Sequence, residues 1–164
     1  MASFDLVSKV NEMELANAIG NSMKVVNGRF DFKGSDASIE YKEKEKVIEM
    51  RAEDETKVRT LLDILRTNMG KRGISFKGMK ESKIEPTGNR MYKMTLTLSA
   101  GFDKDAQKTV NRLIKESGFK VKSQYMDEKF RIESKSIDDL QGIFQFLKNS
   151  DDLDLQISME NMKR

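Results

Sequence analysis

Val47-Ile-Glu-Met-Arg-Ala-Glu-Asp-Glu-Thr-Lys-Val-Arg-Thr-Leu-Leu-Asp-Ile-Leu65 and Lys129-Phe-Arg-Ile-Glu-Ser-Lys-Ser-Ile-Asp-Asp-Leu-Gln-Gly-Ile-Phe-Gln-Phe-Leu147 are two readings of one pattern. Ile48, Met50, Asp54, Val58, Leu61, Leu62 and Leu65 align with Phe130, Ile132, Ser136, Leu140, Ile143, Phe144 and Leu147 at a single offset of 82 (48 to 130). The first two positions of each set have the period of a strand, the last four that of a helix, and Asp54 or Ser136 stands between them as a helix cap. A shared offset across two different periods marks an internal duplication of a strand-and-helix unit.

Outward from this pair, each copy spells β-α-β-β-α-β. In the first, Phe4, Leu6 and Ser8 alternate as a strand. Asn11 and Glu14 then have capping-box spacing ahead of a helix face of Leu15, Ala18, Ile19, Ser22 and Val26. A strand region around Phe30 and Phe32 resumes at Ile39 and Tyr41. After the repeated pattern, Gly70-Lys-Arg-Gly73 closes a helix before a strand carrying Ile74 and Phe76. In the second copy, Tyr92, Met94, Leu96 and Leu98 form the first strand face. Ala106, Val110, Leu113 and Ile114 form a helix stripe closed by Gly118, and Phe119, Val121, Ser123 and Tyr125 lead into the repeat. Leu153, Leu155, Ile157 and Met159 make the last strand face. The fold class is α+β, a tandem duplication of two ferredoxin-like units in which helices cover one face of an antiparallel sheet. The only proline lies in residues 81–89, which reads as a linker between a first unit at 1–80 and a second at 90–164.

Composition narrows the chemistry. The chain of 164 residues has no cysteine and no histidine. That removes thiolate and imidazole nucleophiles, Ser-His and Cys-His pairs and the usual zinc sites, so the expectation is a protein that is not an enzyme and carries no metal and no cofactor. Thirty Lys and Arg against 27 Asp and Glu leave a net charge of +3, so the placement of charge decides anion binding. Eleven Met and no Trp read as compliant core filling, or more sharply as a Met-lined groove. With no long apolar run and no leader-like start, a cytoplasmic location is expected.

Opposite each apolar strand face lies a second set of side chains. In the second copy these are Lys93, Thr95 and Thr97, then Lys120, Lys122 and Gln124, then Lys129, Arg131 and Glu133. Five cations on three strands make a candidate phosphate site, and they equally describe a solvated, lysine-protected sheet. The first copy's set, Ser38, Glu40, Lys42, Val47, Glu49, Arg51, Ser75 and Lys77, carries little electrostatic signal. Neither set has an aromatic ring on which a base could stack. Lys71 and Arg72 read as cations complementing a helix C-terminus, and Arg29 with Asp31 as an ion pair or a ligand clamp. The pairs Asp138-Asp139 and Asp151-Asp152 read as helix-start and loop residues.

Ser3-Phe-Asp-Leu-Val-Ser8, Arg29-Phe-Asp-Phe-Lys33, Leu61-Leu-Asp-Ile-Leu65 with Lys71-Arg-Gly-Ile74, Phe119-Lys-Val121 and Asp138-Asp-Leu-Gln141 together resemble the YajQ family of bacterial proteins, in order and at family-like spacing. The chain departs from that family's usual ending, an aromatic-rich strand near a final Asn-Phe-Arg, where it reads Leu155-Gln-Ile-Ser-Met-Glu-Asn-Met-Lys-Arg164. The resemblance implies two ferredoxin-like domains and admits an exchange of their N-terminal strands. It also implies a non-enzymatic nucleotide-binding protein. One form of that reading is a cyclic di-GMP effector acting through partner macromolecules; the alternatives are an RNA- or tRNA-binding protein using a basic surface, and a protein-interaction scaffold, in each case without a membrane partner. Arg29, Lys71, Arg72, Lys120 and Arg131 fall inside the matching segments and are phosphate-binding candidates. Lys93, Lys122 and Lys129 join them from the sheet-face argument alone.

Overall fold

The computed structural model describes residues 1–98 and 101–164. In chain order its elements are β1 (Ala2–Val7), α1 (Glu12–Gly28), β2 (Ser38–Lys42), β3 (Val47–Ala52), α2 (Glu55–Lys71), β4 (Lys80–Glu81), β5 (Glu85–Pro86) and β6 (Tyr92–Thr97). These are followed by α3 (Lys104–Ser117), β7 (Lys122–Met126), β8 (Lys129–Ser134), α4 (Ile137–Lys148) and β9 (Ser158–Lys163). The caps read from sequence are present. Asn11, Asp54 and Ser136 accept from the backbone N–H of Glu14, Lys57 and Asp139, and Gly118 closes α3 in the left-handed conformation at φ 78°.

Two antiparallel sheets result, one ordered β7-β8-β1-β9 and the other β2-β3-β6-β4, with β5 also on β6. Each is the strand order of a ferredoxin-like unit, but the central strands have changed places. β1 pairs β8 and β9, with Phe4 opposite Ile132 and Leu6 opposite Phe130, while β6 pairs β3, with Met94 opposite Met50 and Leu96 opposite Ile48. The N-terminal strands are therefore exchanged. The chain divides into a continuous unit, Val10–Ser99, and a split unit, Met1–Lys9 with Ala100–Arg164.

This corrects the expected boundaries of 1–80 and 90–164. Residues 81–89 are no linker, because Glu81 and the Glu85–Pro86 strand hydrogen-bond to β6 inside one sheet. The expected strand at Ile74 and Phe76 is also absent. Ile74 buries its side chain from a loop, and the edge pairing falls to Lys80–Glu81. Phe30–Phe32 is one 3-10 turn in which Phe32 is buried and Phe30 is 91% exposed, so only one of the two rings has a core role. The final strand begins at Ser158, after Leu153 has entered the core from a loop.

Each unit has its own core. In the continuous unit Leu15, Ala18 and Val26 of α1 and Val58, Leu61 and Leu65 of α2 pack on Ile48, Met50, Met94 and Leu96. In the split unit Val110, Leu113 and Ile114 of α3 and Leu140, Ile143 and Leu147 of α4 pack on Phe4, Leu6, Phe130 and Ile132. Burying such a side chain stabilises by about 1.5–3 kcal/mol, so both cores depend on the strand supplied by the exchange. Gly142 in α4 is required by packing: a Cβ there would lie 2.4 Å from Cε1 of Phe119, whose ring occupies that space.

Candidate functional site

The eight candidate cations do not form one site. Arg29 hydrogen-bonds Asp31 through Nε and Nη2, each at 2.9 Å, on an exposed turn. Lys71 and Arg72 stand at the end of α2, with Arg72 3.9 Å from Glu14 at the start of α1, while Lys57 near the start of α2 lies over the Phe32 ring beyond the end of α1. The helices are antiparallel, which puts Arg29 and the Lys71-Arg72 pair at opposite ends of a layer about 25 Å long. Lys93 belongs to the sheet of the continuous unit, opposite Arg51 and 3.9 Å from Glu85. It does not share a sheet with Lys122, Lys129 and Arg131, because β6 is the exchanged strand.

In the split unit the uncovered sheet face contains a group that the sequence reading left out. Asp5, on β1, is 2% exposed and sits opposite Arg131. Arg131 Nε donates to its Oδ1 at 3.3 Å, Lys129 Nζ lies 3.3 Å from Oδ2, and Asn161 Nδ2 donates to Oδ2 at 2.9 Å. Burial pushes the Asp5 carboxyl up, but hydrogen bonds from Asn161, Lys129 and Arg131 outweigh it and hold the group below the usual aspartate value. Two of the expected phosphate ligands are thus already engaged with a carboxylate. The other sheet has a counterpart: Glu49, 5% exposed, is ion-paired to Lys42 at 2.7 Å and to Arg51. Hydrogen bonding from Lys42 lowers its pKa, with burial opposing and Arg51 assisting.

Although Lys122, opposite Glu133, also lies on the uncovered face beside Gln124 and Arg131, Lys120 and Lys122 line a cavity of about 470 Å³ where β7 and β8 meet the start of α4. Ser134, buried at the end of β8, organises it. Its hydroxyl donates to the Lys120 carbonyl at 2.8 Å and accepts from the Ser136 N–H at 3.1 Å, tying the segment before β7 to the first turn of α4. Lys135, exposed and adjacent to the Ser136 cap, adds a third cation to the wall. Lys135 was missed because its position is a connection between strand and helix, off the sheet-face pattern; its signal was a lysine directly before a capped helix. Glu133 and Asp139 also line the cavity, so the site is mixed in charge. Lysines lining a cavity beside a helix N-terminus can hold a phosphate, and the volume is in the range of small-molecule sites.

Among the described residues no group of three or more His, Cys, Asp or Glu could hold a metal ion, and no helix is long and apolar enough to cross a membrane. Among the described residues the uncovered sheet faces carry no ring, since Tyr41, Tyr92 and Tyr125 pack with the cores.

The model of the family described as "Nucleotide-binding protein YajQ-like" matches residues 2–163. The nucleotide-binding protein Bd0338 of Bdellovibrio bacteriovorus is 38% identical over 163 residues, covering 99% of each chain. A nucleotide-binding protein of Geotalea daltonii is 40% identical over 157 residues, 95% of this chain and 96% of its own, and one of Shewanella oneidensis is 36% identical over 151 residues, 92% of each.

Proposed function

From the premise that this chain belongs to the YajQ family, we propose that it is a bacterial, non-enzymatic nucleotide-binding protein that holds a phosphate of its ligand in the cavity beside the start of α4. The observation that carries this reading is that Lys120, Lys122 and Lys135 all line one small-molecule-sized cavity at a helix N-terminus. The names of the relatives support nucleotide binding. Lys129 and Arg131, engaged by Asp5, act in the fold of the sheet, and Arg29, Lys71, Arg72 and Lys93 lie outside the site. The absence of cysteine and histidine from the sequence supports binding without turnover. The finer reading is a cyclic di-GMP effector whose occupied form is recognised by a partner macromolecule in the cytoplasm.

Calorimetric titration with GTP, cyclic di-GMP and a tRNA mixture at two salt concentrations tests this against a Lys120→Ala/Lys135→Ala variant and a Lys71→Ala/Arg72→Ala control. The expected result is saturable nucleotide binding that the first variant weakens by at least about tenfold and the control leaves intact, a loss of about 1.4 kcal/mol. Preference for cyclic di-GMP supports the effector reading. Nucleotide binding that survives in the first variant removes the site. Binding of tRNA alone, falling steeply with salt, replaces the reading with an RNA-binding one, and no binding at all favours a scaffold.

A further inference from the structure

We propose that the two buried carboxylates, Asp5 and Glu49, select the exchanged arrangement of the central strands over the unexchanged one. Consecutive elements usually pack together, so β1 would by default join α1, which follows after only residues 8–11. The apolar faces do not forbid this. Phe4 and Leu6 of β1 fill the same slots in one sheet that Met94 and Leu96 of β6 fill in the other, against strands related by the repeat. Both strands therefore have the parity and length to enter either sheet.

The opposite faces differ. Asp5 corresponds in position to Thr95, and their facing residues are Arg131 and Glu49. In the exchanged arrangement Asp5 meets Arg131, Lys129 and Asn161, while Glu49 meets the neutral Thr95 and keeps Lys42 and Arg51. In the unexchanged arrangement Asp5 would face Glu49, two carboxylates in positions now 2% and 5% exposed, and Arg131 would face Thr95. Like charges directly opposite are unfavourable in a sheet, and burial magnifies the effect. One pair argues the other way. Lys93 now faces Arg51 and would face Glu133 after reversal. The Lys93 and Arg51 side chains are 35% and 45% exposed, however, so solvent screens that repulsion, and the buried pair decides.

Because the chain has no cysteine, the choice can be read with three conservative thiols. Ala2→Cys faces Ser134→Cys if β1 is exchanged. It would face Ala52→Cys if β1 took the place of β6, since Tyr92 is the residue opposite Ala52 there. The triple-cysteine protein is refolded from urea in a thiol redox buffer, and its disulfides are mapped by peptide mass. The 2–134 bridge is expected to exceed the 2–52 bridge by at least about tenfold. Moving the carboxylate between strands, as Asp5→Thr with Thr95→Asp, is expected to shift that ratio toward 2–52 by about tenfold or more. A folded swap variant with an unchanged ratio overturns the proposal. Should the swap variant not fold, urea unfolding of Asp5→Thr, Arg131→Thr and the double variant decides. Coupling of about tenfold in the unfolding constant upholds selection by this pair, and coupling below about twofold overturns it.

Discussion

In the continuous unit the central carboxylate of the uncovered sheet face is neutralised from its own hairpin: Glu49 finds Lys42 on β2 and Arg51 two residues along β3. The split unit solves the same problem over long range, since Asp5 finds Arg131 at a separation of 126 residues and Asn161 at 156. The two sheets share strand order and differ in where their charge balance originates. A locally balanced face needs only its hairpin, whereas the distant one is complete only when the first and last strands of the chain lie side by side.

The largest separation of the two regions should come from their cores. Phe4→Ala removes a fully buried ring from the split unit and should cost about 3–5 kcal/mol, read as a lowered urea midpoint. Amide exchange should then accelerate in β8 and β9 and hold in β2 and β3, with Met94→Ala giving the reverse pattern at about 2–5 kcal/mol. Equal loss of protection in both sheets would dissolve the distinction. A smaller effect sharpens it. Asp5→Asn should cost about 1–3 kcal/mol at neutral pH. Because the folded carboxyl titrates below its unfolded counterpart, its contribution is complete above the ordinary aspartate range and is lost as pH falls through the folded value. The stability gap between the two proteins should thus be flat from about pH 6 to 9 and close in acid, while a gap that persists in acid would assign the effect to shape. Least of all, the β7–β8 turn holds Asp127 and Glu128 at φ 54° and 64°, values that favour glycine. Glu128→Gly should raise the stability of the split unit by about 0.5–1 kcal/mol in the same urea assay.

The repeat, the four helices, the N-caps Asn11, Asp54 and Ser136 and the apolar stripes were legible because each rests on local spacing, while the α3 cap, Asp103, was not read. The exchange was not written in those terms: Phe4-Asp-Leu6 and Met94-Thr-Leu96 present the same alternation, and parity is blind to which sheet receives it. That blindness carried Lys93 into the wrong sheet and hid Asp5 from the face it occupies. The segment 81–89 misled for a related reason, since Pro86 at a two-residue edge strand looks in sequence like a break. Of the residues lining the proposed cavity, Lys120 and Lys122 were named from strand parity although Lys120 precedes β7, and Lys135 was not named because a connection has no period to read.

The exchange also sets a timetable. A ribosome releases β1 first, but β8 and β9, which flank it in the finished sheet, emerge more than a hundred residues later. At synthesis rates of roughly 5–20 residues per second that interval is on the order of ten seconds. The continuous unit, from Val10 to Ser99, has all its strands in hand long before. For that time Phe4 and Leu6 lack their own sheet, and the one at hand is the sheet in which Asp5 would face Glu49. The nascent chain must shelter an apolar strand that waits for its own sheet, a segment of the kind chaperones recognise.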